Sequence, residues 1–118
     1  MYKLTKKEEE LMQIFWERGP MFVKDIVPLY DEPKPHFNTI STMVRTLESK
    51  GYLSHEALGT TYRYFAAVSE EAFSRQTLGS VIDRYFERSY VGAVSALVEE
   101  EKISIEELRE LIAKIEKQ

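Results

Sequence analysis

The chain has 118 residues, of which 43% are hydrophobic and 31% are charged, and its formal net charge is −4. One domain of typical size, ~100–150 residues, or two very small domains fit this length, whereas a large two-lobed enzyme does not. The composition is too apolar for a disordered tail and too polar for a membrane protein. Cysteine is absent, which excludes disulfides, thiolate catalysis and cysteine-based metal sites.

Neither membrane insertion nor export is indicated by the sequence. The longest uninterrupted apolar stretch, residues 64–68, is far shorter than the ~18–20 residues that a membrane-spanning helix needs. The first eight residues show no apolar run and no small-residue cleavage site, so no signal peptide is expected. We therefore expect a cytoplasmic protein of bacterial type.

Charge is distributed unevenly along the chain. Residues 1–68 carry nine basic and nine acidic side chains, whereas residues 69–118 carry seven basic and eleven acidic ones. Within residues 33–68, four basic side chains outnumber two acidic ones. The overall acidity argues weakly against nucleic-acid binding and the local basic excess argues weakly for it, so the residue pattern has to decide.

Two helices are predicted at the start of the chain. Thr5 and Glu8 fit a capping box at the N-terminus of the first helix, and Gly19-Pro20 ends it. A second short helix is predicted over residues 23–30, and Pro28 inside it requires the helix to be short or bent near its end. Trp16 is expected in the core rather than in a ligand pocket.

The third predicted helix, residues 37–50, has two different faces. Its apolar face consists of Ile40, Met43, Val44 and Leu47, which recur at the helical period. The opposite face carries short hydroxyls, an amide and a guanidinium, with no carboxylate: Asn38, Thr42, Arg45 and Ser49, flanked by Ser41 and Thr46. Such a face favours hydrogen bonding to an external partner over packing against the protein core.

Two β-prone runs follow within residues 52–66, around a turn that contains Gly59, and they predict a hairpin. Three helices followed by a hairpin is the order of a winged helix. In that fold the third helix enters the DNA major groove and the hairpin, or wing, contacts the adjacent backbone. We therefore predict a mainly α protein with a small β-hairpin: a winged helix-turn-helix over residues 1–68 and a helical dimerisation domain over residues 69–118.

The candidate DNA-binding residues follow from this arrangement. Arg45 suits a bidentate contact with a guanine edge, and Asn38 either contacts an adenine or bonds the backbone at the helix start. The hydroxyls suit phosphate oxygens or a thymine methyl, and the two remaining cations suit the DNA backbone. The full set is Asn38, Thr39, Ser41, Thr42, Arg45, Thr46, Lys50 and Arg63.

Residues 69–118 contain more apolar side chains than two or three short helices can bury among themselves, because small domains bury a smaller share of their surface. The excess is expected to face a second copy of the chain, and a two-fold dimer matches a two-fold operator. The expected interface residues are Leu78, Ile82, Tyr85, Phe86, Val94, Leu97, Leu108, Leu111, Ile112 and Ile115. The alternative is a small-molecule site enclosed by the aromatic residues of this region.

Other function classes find less support in the sequence. No Ser/His/Asp order with motif support and no glycine-rich phosphate loop is present, so we expect neither an enzyme nor a cofactor. His36 and His55 lack a third metal ligand and are expected on the surface. The glutamate runs 8–10 and 99–101 are interpreted as solvated faces and helix ends. A winged helix that binds proteins instead of DNA, and a DNA-binding regulator that senses a ligand directly, stay open as alternatives.

The segment 39–51, which covers most of the third predicted helix and the glycine that ends it, resembles the recognition helix of the BlaI/MecI/CopY penicillinase-repressor family. The opening Leu4-Thr5, with Glu9-Glu10-Leu11-Met12 and Trp16, is similar to that family's first helix. The segments from Tyr85 to Glu99 and from Ile103 to Leu108 are similar to its C-terminal region. The resemblance spans essentially the whole chain.

This resemblance implies a homodimeric transcriptional repressor that binds an inverted-repeat operator, and a membrane-bound sensor-protease that cleaves it in the dimerisation region. Two departures bear on induction. Ala96-Leu97 stands where the family's cleaved Asn-Phe bond is expected, which implies either a protease of another preference or no proteolytic induction. The absence of cysteine excludes the copper site of the copper-responsive members. Arg45-Thr46 also stands where the penicillinase repressors usually show Thr-Arg, so the operator sequence need not be shared.

Overall fold

The computed structural model of the protein describes residues 3–118; residues 1 and 2, with which the first predicted domain begins, lie outside the described range. The described residues are 61% helical and form six α-helices and a three-stranded antiparallel sheet. This confirms the predicted fold class, a winged helix followed by further helices. No helix within residues 3–118 is long and apolar enough to cross a membrane.

The chain forms two compact units that divide between Phe73 and Ser74. The first contains α1 (Lys6–Arg18), β1 (Met21–Phe22), α2 (Val23–Ile26), a 3-10 turn (Val27–Leu29), α3 (Phe37–Ser49), β2 (Leu53–Leu58) and β3 (Thr61–Ala66). A further helix, α4 (Glu70–Tyr85), crosses the division, and α5 (Tyr90–Glu99) and α6 (Ile105–Glu116) belong to the second unit. The division lies slightly beyond the boundary expected after residue 68.

The helix ends follow the local sequence. At the start of α1, the Thr5 backbone N–H donates to Glu8 Oε1 at 2.8 Å and the Glu8 N–H donates to Thr5 Oγ1 at 3.2 Å, which is the predicted capping box. Gly19 ends α1 with a positive φ of 84°. Pro28 lies in the 3-10 turn directly after α2, so the second helix is short, as its proline predicted.

The sheet contains one strand more than the predicted hairpin. Its order is β1-β3-β2, and β1 pairs with β3 through Met21 opposite Tyr64 and Phe22 opposite Arg63. A strand of two residues between a helix-ending Gly-Pro pair and the next helix is too short to show a period-2 pattern, so the sequence contains no signal for it. Its pairing holds the start of α2 against the wing.

The core of the first unit lies between α1, α3 and the sheet. Its largest fully buried side chains are Tyr52, Phe15, Leu11, Met12, Ile26, Ile40, Leu47, Leu53 and Val44. Trp16 packs against this core, as expected, and its Nε1–H donates to the Val68 carbonyl at 2.8 Å. The ring of Phe73 lies 5.4 Å from Trp16 and 5.9 Å from Tyr52, which explains why Phe73 belongs to the first unit.

A partly buried ion pair joins α1 to the end of α3. The Lys50 Nζ donates to both carboxylate oxygens of Glu8, at 2.8 and 2.9 Å. Glu8 is only 6% exposed, so the expectation that the whole run 8–10 is solvated was wrong for this residue. Desolvation by burial acts to raise the pKa of Glu8, but hydrogen bonds from Lys50 and Thr5 and the charge of Lys50 outweigh it. The pKa is therefore lowered from its ordinary value of 4.5.

The second unit has almost no core of its own. Within residues 74–118, Ala93 is the one residue that is buried. The helix starts are nevertheless well formed, since Ser89 caps α5 and the predicted capping box of Ser104 and Glu107 begins α6. The helices are therefore specified locally, whereas their apolar side chains stay uncovered within one chain.

We expect Lys50→Met to lower the free energy of unfolding of the first unit by about 1–3 kcal/mol. Removing one partner of a buried pair leaves the other charge uncompensated, and the partial exposure of Lys50 reduces the cost below the ~3–5 kcal/mol of a fully buried pair. Urea unfolding followed by the fluorescence of Trp16, the one tryptophan, measures the change. Lys7→Met, an exposed lysine of α1, is the control and should change stability by less than about 0.5 kcal/mol. Equal effects of the two variants would contradict a stabilising role for the pair.

Glu8 also predicts a pH dependence. Because its folded-state pKa lies below its unfolded value, its contribution to stability is fully present above the unfolded pKa and is lost as the pH falls through the folded pKa. We expect Glu8→Gln to be less stable than wild type near neutral pH and the difference to shrink on acidification. Urea unfolding at a series of pH values tests this. A difference that stays constant down to about pH 3 would disprove the linkage.

Candidate nucleic-acid interface

The two faces of α3 lie where the sequence predicts them. Ile40, Val44 and Leu47 are buried in the core, and Met43 packs against it. On the opposite side the candidate residues Asn38, Thr39, Thr42, Arg45 and Thr46 are exposed, together with Ser49, and Ser41 is half-buried. Burial of one face therefore leaves the hydrogen-bonding face of α3 in solvent.

The start of α3 is capped by His36, not by Asn38. The Asn38 backbone N–H donates to His36 Nδ1 at 3.0 Å, so Asn38 is a first-turn residue whose side chain is exposed. The alternative role of Asn38 as the helix cap is thus taken by a neighbour. The amide of Asn38 is accessible to an external partner.

Two threonine hydroxyls of this face bond to their own helix. Thr42 Oγ1 donates to the Asn38 carbonyl at 2.9 Å, and Thr46 Oγ1 donates to the Thr42 carbonyl at 3.0 Å. Because each hydroxyl proton is engaged, these side chains present an acceptor oxygen and a methyl group. They suit a base-edge donor or a thymine methyl better than a phosphate oxygen, which needs a donor.

Arg45 is exposed and has no ion-pair partner among residues 3–118. It lies close enough to the buried Tyr64 to influence that phenol. Burial raises the pKa of Tyr64, the charge of Glu48 raises it further, and the positive charge of Arg45 partly offsets both. The guanidinium is therefore free to pair with an external acceptor at the centre of the exposed face.

The two other candidate cations already have partners within the protein. Lys50 is held by Glu8 at the end of α3, as described above. Arg63 on β3 pairs with Glu56, which lies directly opposite on β2, and its Nε donates to Glu56 Oε1 at 2.7 Å. The structure therefore gathers the α3 candidates on one face but gives Lys50 and Arg63 partners that the sequence did not indicate.

A side-chain pair between His55 and Glu48 links the wing to α3, and no sequence pattern predicted it. His55 Nδ1 on β2 lies 2.6 Å from Glu48 Oε2 on α3, and the His55 ring stacks on Tyr62 with centroids 4.3 Å apart. A spacing of seven residues across a helix end and a strand has no characteristic sequence pattern. No group of three His, Cys, Asp or Glu side chains within residues 3–118 is arranged to hold a metal ion.

Comparison with known proteins identifies the family to which the chain belongs. The penicillinase repressor family model matches residues 4–117. The chain belongs to the penicillinase repressor family. This confirms the resemblance seen in the sequence and makes the protein a member of a family of transcriptional repressors. The exposed face of α3 therefore belongs to a member of a family of transcriptional repressors.

Individual relatives match over most of their length. The methicillin resistance regulatory protein MecI of Staphylococcus aureus (strain N315) is 26% identical over 111 residues, which cover 93% of this chain and 90% of that protein. The penicillinase repressor of Bacillus licheniformis is 23% identical over 110 residues, covering 92% and 86%. An uncharacterized 16.5 kDa protein of Latilactobacillus sakei is 26% identical over 111 residues, covering 92% and 75%.

Proposed function

We propose that the protein is a homodimeric, cytoplasmic transcriptional repressor that binds an inverted-repeat operator. In this proposal α3 lies in the major groove and the β2–β3 hairpin lies on the adjacent backbone. The observation that carries it is the exposed face of α3, which has no carboxylate. It combines an accessible amide and short hydroxyl side chains with an arginine that has no ion-pair partner within residues 3–118. Family membership supports the repressor function itself.

The contacts are assigned from the accessibility of each group. Arg45 has an uncompensated guanidinium and is proposed to contact a guanine edge, and Asn38 an adenine. Thr39 and Ser41 are proposed to contact the phosphate backbone, and Thr42 and Thr46 base edges or thymine methyls. Arg63 is proposed to contact a phosphate from the wing, at the cost of loosening its pair with Glu56. Lys50 is proposed to anchor α3 to α1 rather than to bind DNA.

Dimerisation through residues 74–118 is supported by the uncovered apolar side chains of that unit. Among the expected interface residues, Leu78 is 61%, Tyr85 67% and Ile115 56% exposed, and Ile82 and Leu108 are half-buried. Three helices that bury one alanine cannot offset the entropy of ordering their backbone. A second copy of the chain covers such a surface and presents two α3 helices to two half-sites, ~34 Å apart.

The family resemblance implies induction through a sensor-protease, and in this protein the expected cleavage site lies inside a helix. The Ala96–Leu97 bond lies within α5, where Ala96 is half-buried and Leu97 is exposed. Cleavage at this bond requires local unfolding of α5 before the backbone is accessible. Separation of the subunits would then reduce operator occupancy by the loss of bivalent binding.

The decisive experiment is selection of bound duplexes from a random DNA pool, followed by titration of the selected duplex at two salt concentrations. We expect an inverted repeat whose affinity falls as salt rises. Arg45→Ala should cost about 1–3 kcal/mol of binding free energy and relax the base preference at one position of each half-site.

The control is Arg18→Ala, which removes an exposed arginine from the end of α1 and should leave the selected sequence unchanged. Unchanged operator affinity in Arg45→Ala would show that the recognition face is wrongly placed. Failure of the folded dimer to bind any duplex in a salt-dependent way would instead favour a protein-binding winged helix.

The dimer is tested by Leu111→Glu, which places a charge on the exposed apolar side of α6. We expect the mass in analytical ultracentrifugation to fall from twice 13.8 kDa to 13.8 kDa. We expect operator affinity to fall by about 10²–10⁴-fold, because bivalent binding is lost. Lys117→Gln changes the net charge by the same amount and should stay dimeric. A dimeric Leu111→Glu would place the interface elsewhere.

A further inference from the structure

A cavity of about 360 Å³ lies in the first unit, between β1, the start of α2, residues 37–45 of α3 and the wing. Its volume lies within the range of small-molecule sites, about 300–1,000 Å³. It is lined by Phe22, Val23, Lys24, Phe37, Ser41, Arg45, Thr61, Tyr62 and Tyr64. Neither the predicted DNA contacts nor the expected dimer interface accounts for most of these residues.

The walls of this cavity combine aromatic rings with positive charge. Four of the nine lining residues are aromatic, two are cationic, and none is acidic. Lys24 Nζ lies 5.9 Å from the centroid of the Phe22 ring, so one cation is held beside an aromatic wall. Arg45 has no ion-pair partner among the described residues. Rings provide apolar and stacking surface, and the cations favour a negative group on the same ligand.

A segment of DNA backbone matches these walls poorly. Its phosphates would be satisfied by Lys24 and Arg45, but its deoxyribose offers no flat ring to stack on Phe37 and Tyr62, both about half exposed. A small aromatic carboxylate satisfies both parts of the lining. Because Arg45 and Ser41 belong to the cavity and to the proposed DNA face, one occupant excludes the other.

We propose that this cavity binds a small aromatic carboxylate and that the bound ligand competes with operator DNA for Arg45. The ligand would then act directly as an inducer on the DNA-binding unit. The first claim, that the cavity binds the carboxylate (the binding part), depends only on the cavity. The second claim, that the ligand competes with DNA (the competition part), rests on the proposed function.

The binding part is tested without DNA, by titrating the full-length protein with 2-naphthoate and following backbone amide signals by NMR. We expect saturable shifts at Val23, Ser41 and Tyr64 with a dissociation constant of about 1 mM or below. The neutral 2-naphthamide should bind about tenfold more weakly, since it lacks the charge. Phe37→Ala and Lys24→Gln should each weaken naphthoate binding about fivefold or more.

Phe37→Ala and Lys24→Gln replace side chains outside the buried core. Unchanged Trp16 fluorescence confirms that both variants fold. Equal binding of the acid and the amide would overturn the anionic specificity. Naphthoate binding that neither variant weakens would overturn the cavity as its site. No detectable binding of naphthoate would overturn the proposal as a whole.

The competition part uses the duplex selected above. Naphthoate should release the protein from this duplex, and Phe37→Ala, which is not a proposed DNA contact, should require about tenfold more naphthoate for release. Naphthoate binding without release of DNA would disprove the competition while the cavity stands. If the protein binds no duplex at all, the proposed function fails, and the NMR titration still decides whether the cavity binds the carboxylate.

Discussion

Burial of one face of α3 is the constraint on which the rest of the first unit depends. Ile40, Val44 and Leu47 are almost completely removed from water, at a gain of about 1.5–3 kcal/mol for each large aliphatic side chain. A helix that buries these three positions has no rotational freedom left, so the side chains half a turn away must face solvent. The outward direction of Arg45 is thus a consequence of core packing, not of any contact that Arg45 makes.

The C-terminal end of α3 is fixed to two neighbouring elements by side-chain pairs. Lys50 joins its C-terminal end to Glu8 of α1, and Glu48 joins its last turn to His55 of the wing. The first pair is partly buried and therefore fixes the geometry more firmly than an exposed pair does. Glu8 also completes the cap of α1, so one carboxylate serves two elements. The helix α3, the wing and α1 are held in a defined arrangement before any partner binds, which lowers the ordering cost of association.

The two units are stabilised in different ways. The first contains a continuous apolar core around Phe15 and Tyr52, whereas residues 74–118 bury one alanine. Side chains as large as Tyr85 and Leu78 stay exposed in the second unit, where a single chain leaves them uncovered. In the dimer that we propose, DNA occupancy would depend on association of the two subunits. A ligand bound in the cavity beside Arg45 would provide a second way to release the protein from DNA, because it would occupy part of the proposed DNA-binding face.

Local features of the sequence determined the helix caps, the proline-limited second helix, the hairpin and the two faces of α3, because each depends on residues within one or two turns of each other. The residues of α3, of the first helix and of the C-terminal segments were together sufficient to show the resemblance to the family. Tertiary structure alone decided the partners of Lys50, Arg63 and His55, the strand β1 and the cavity beside Phe37. These features join residues that are distant in the chain or share no repeating pattern, so no spacing in the sequence reports them. Glu8 illustrates the difference: its role in the cap is local and was predictable, whereas its burial depends on a lysine 42 residues away.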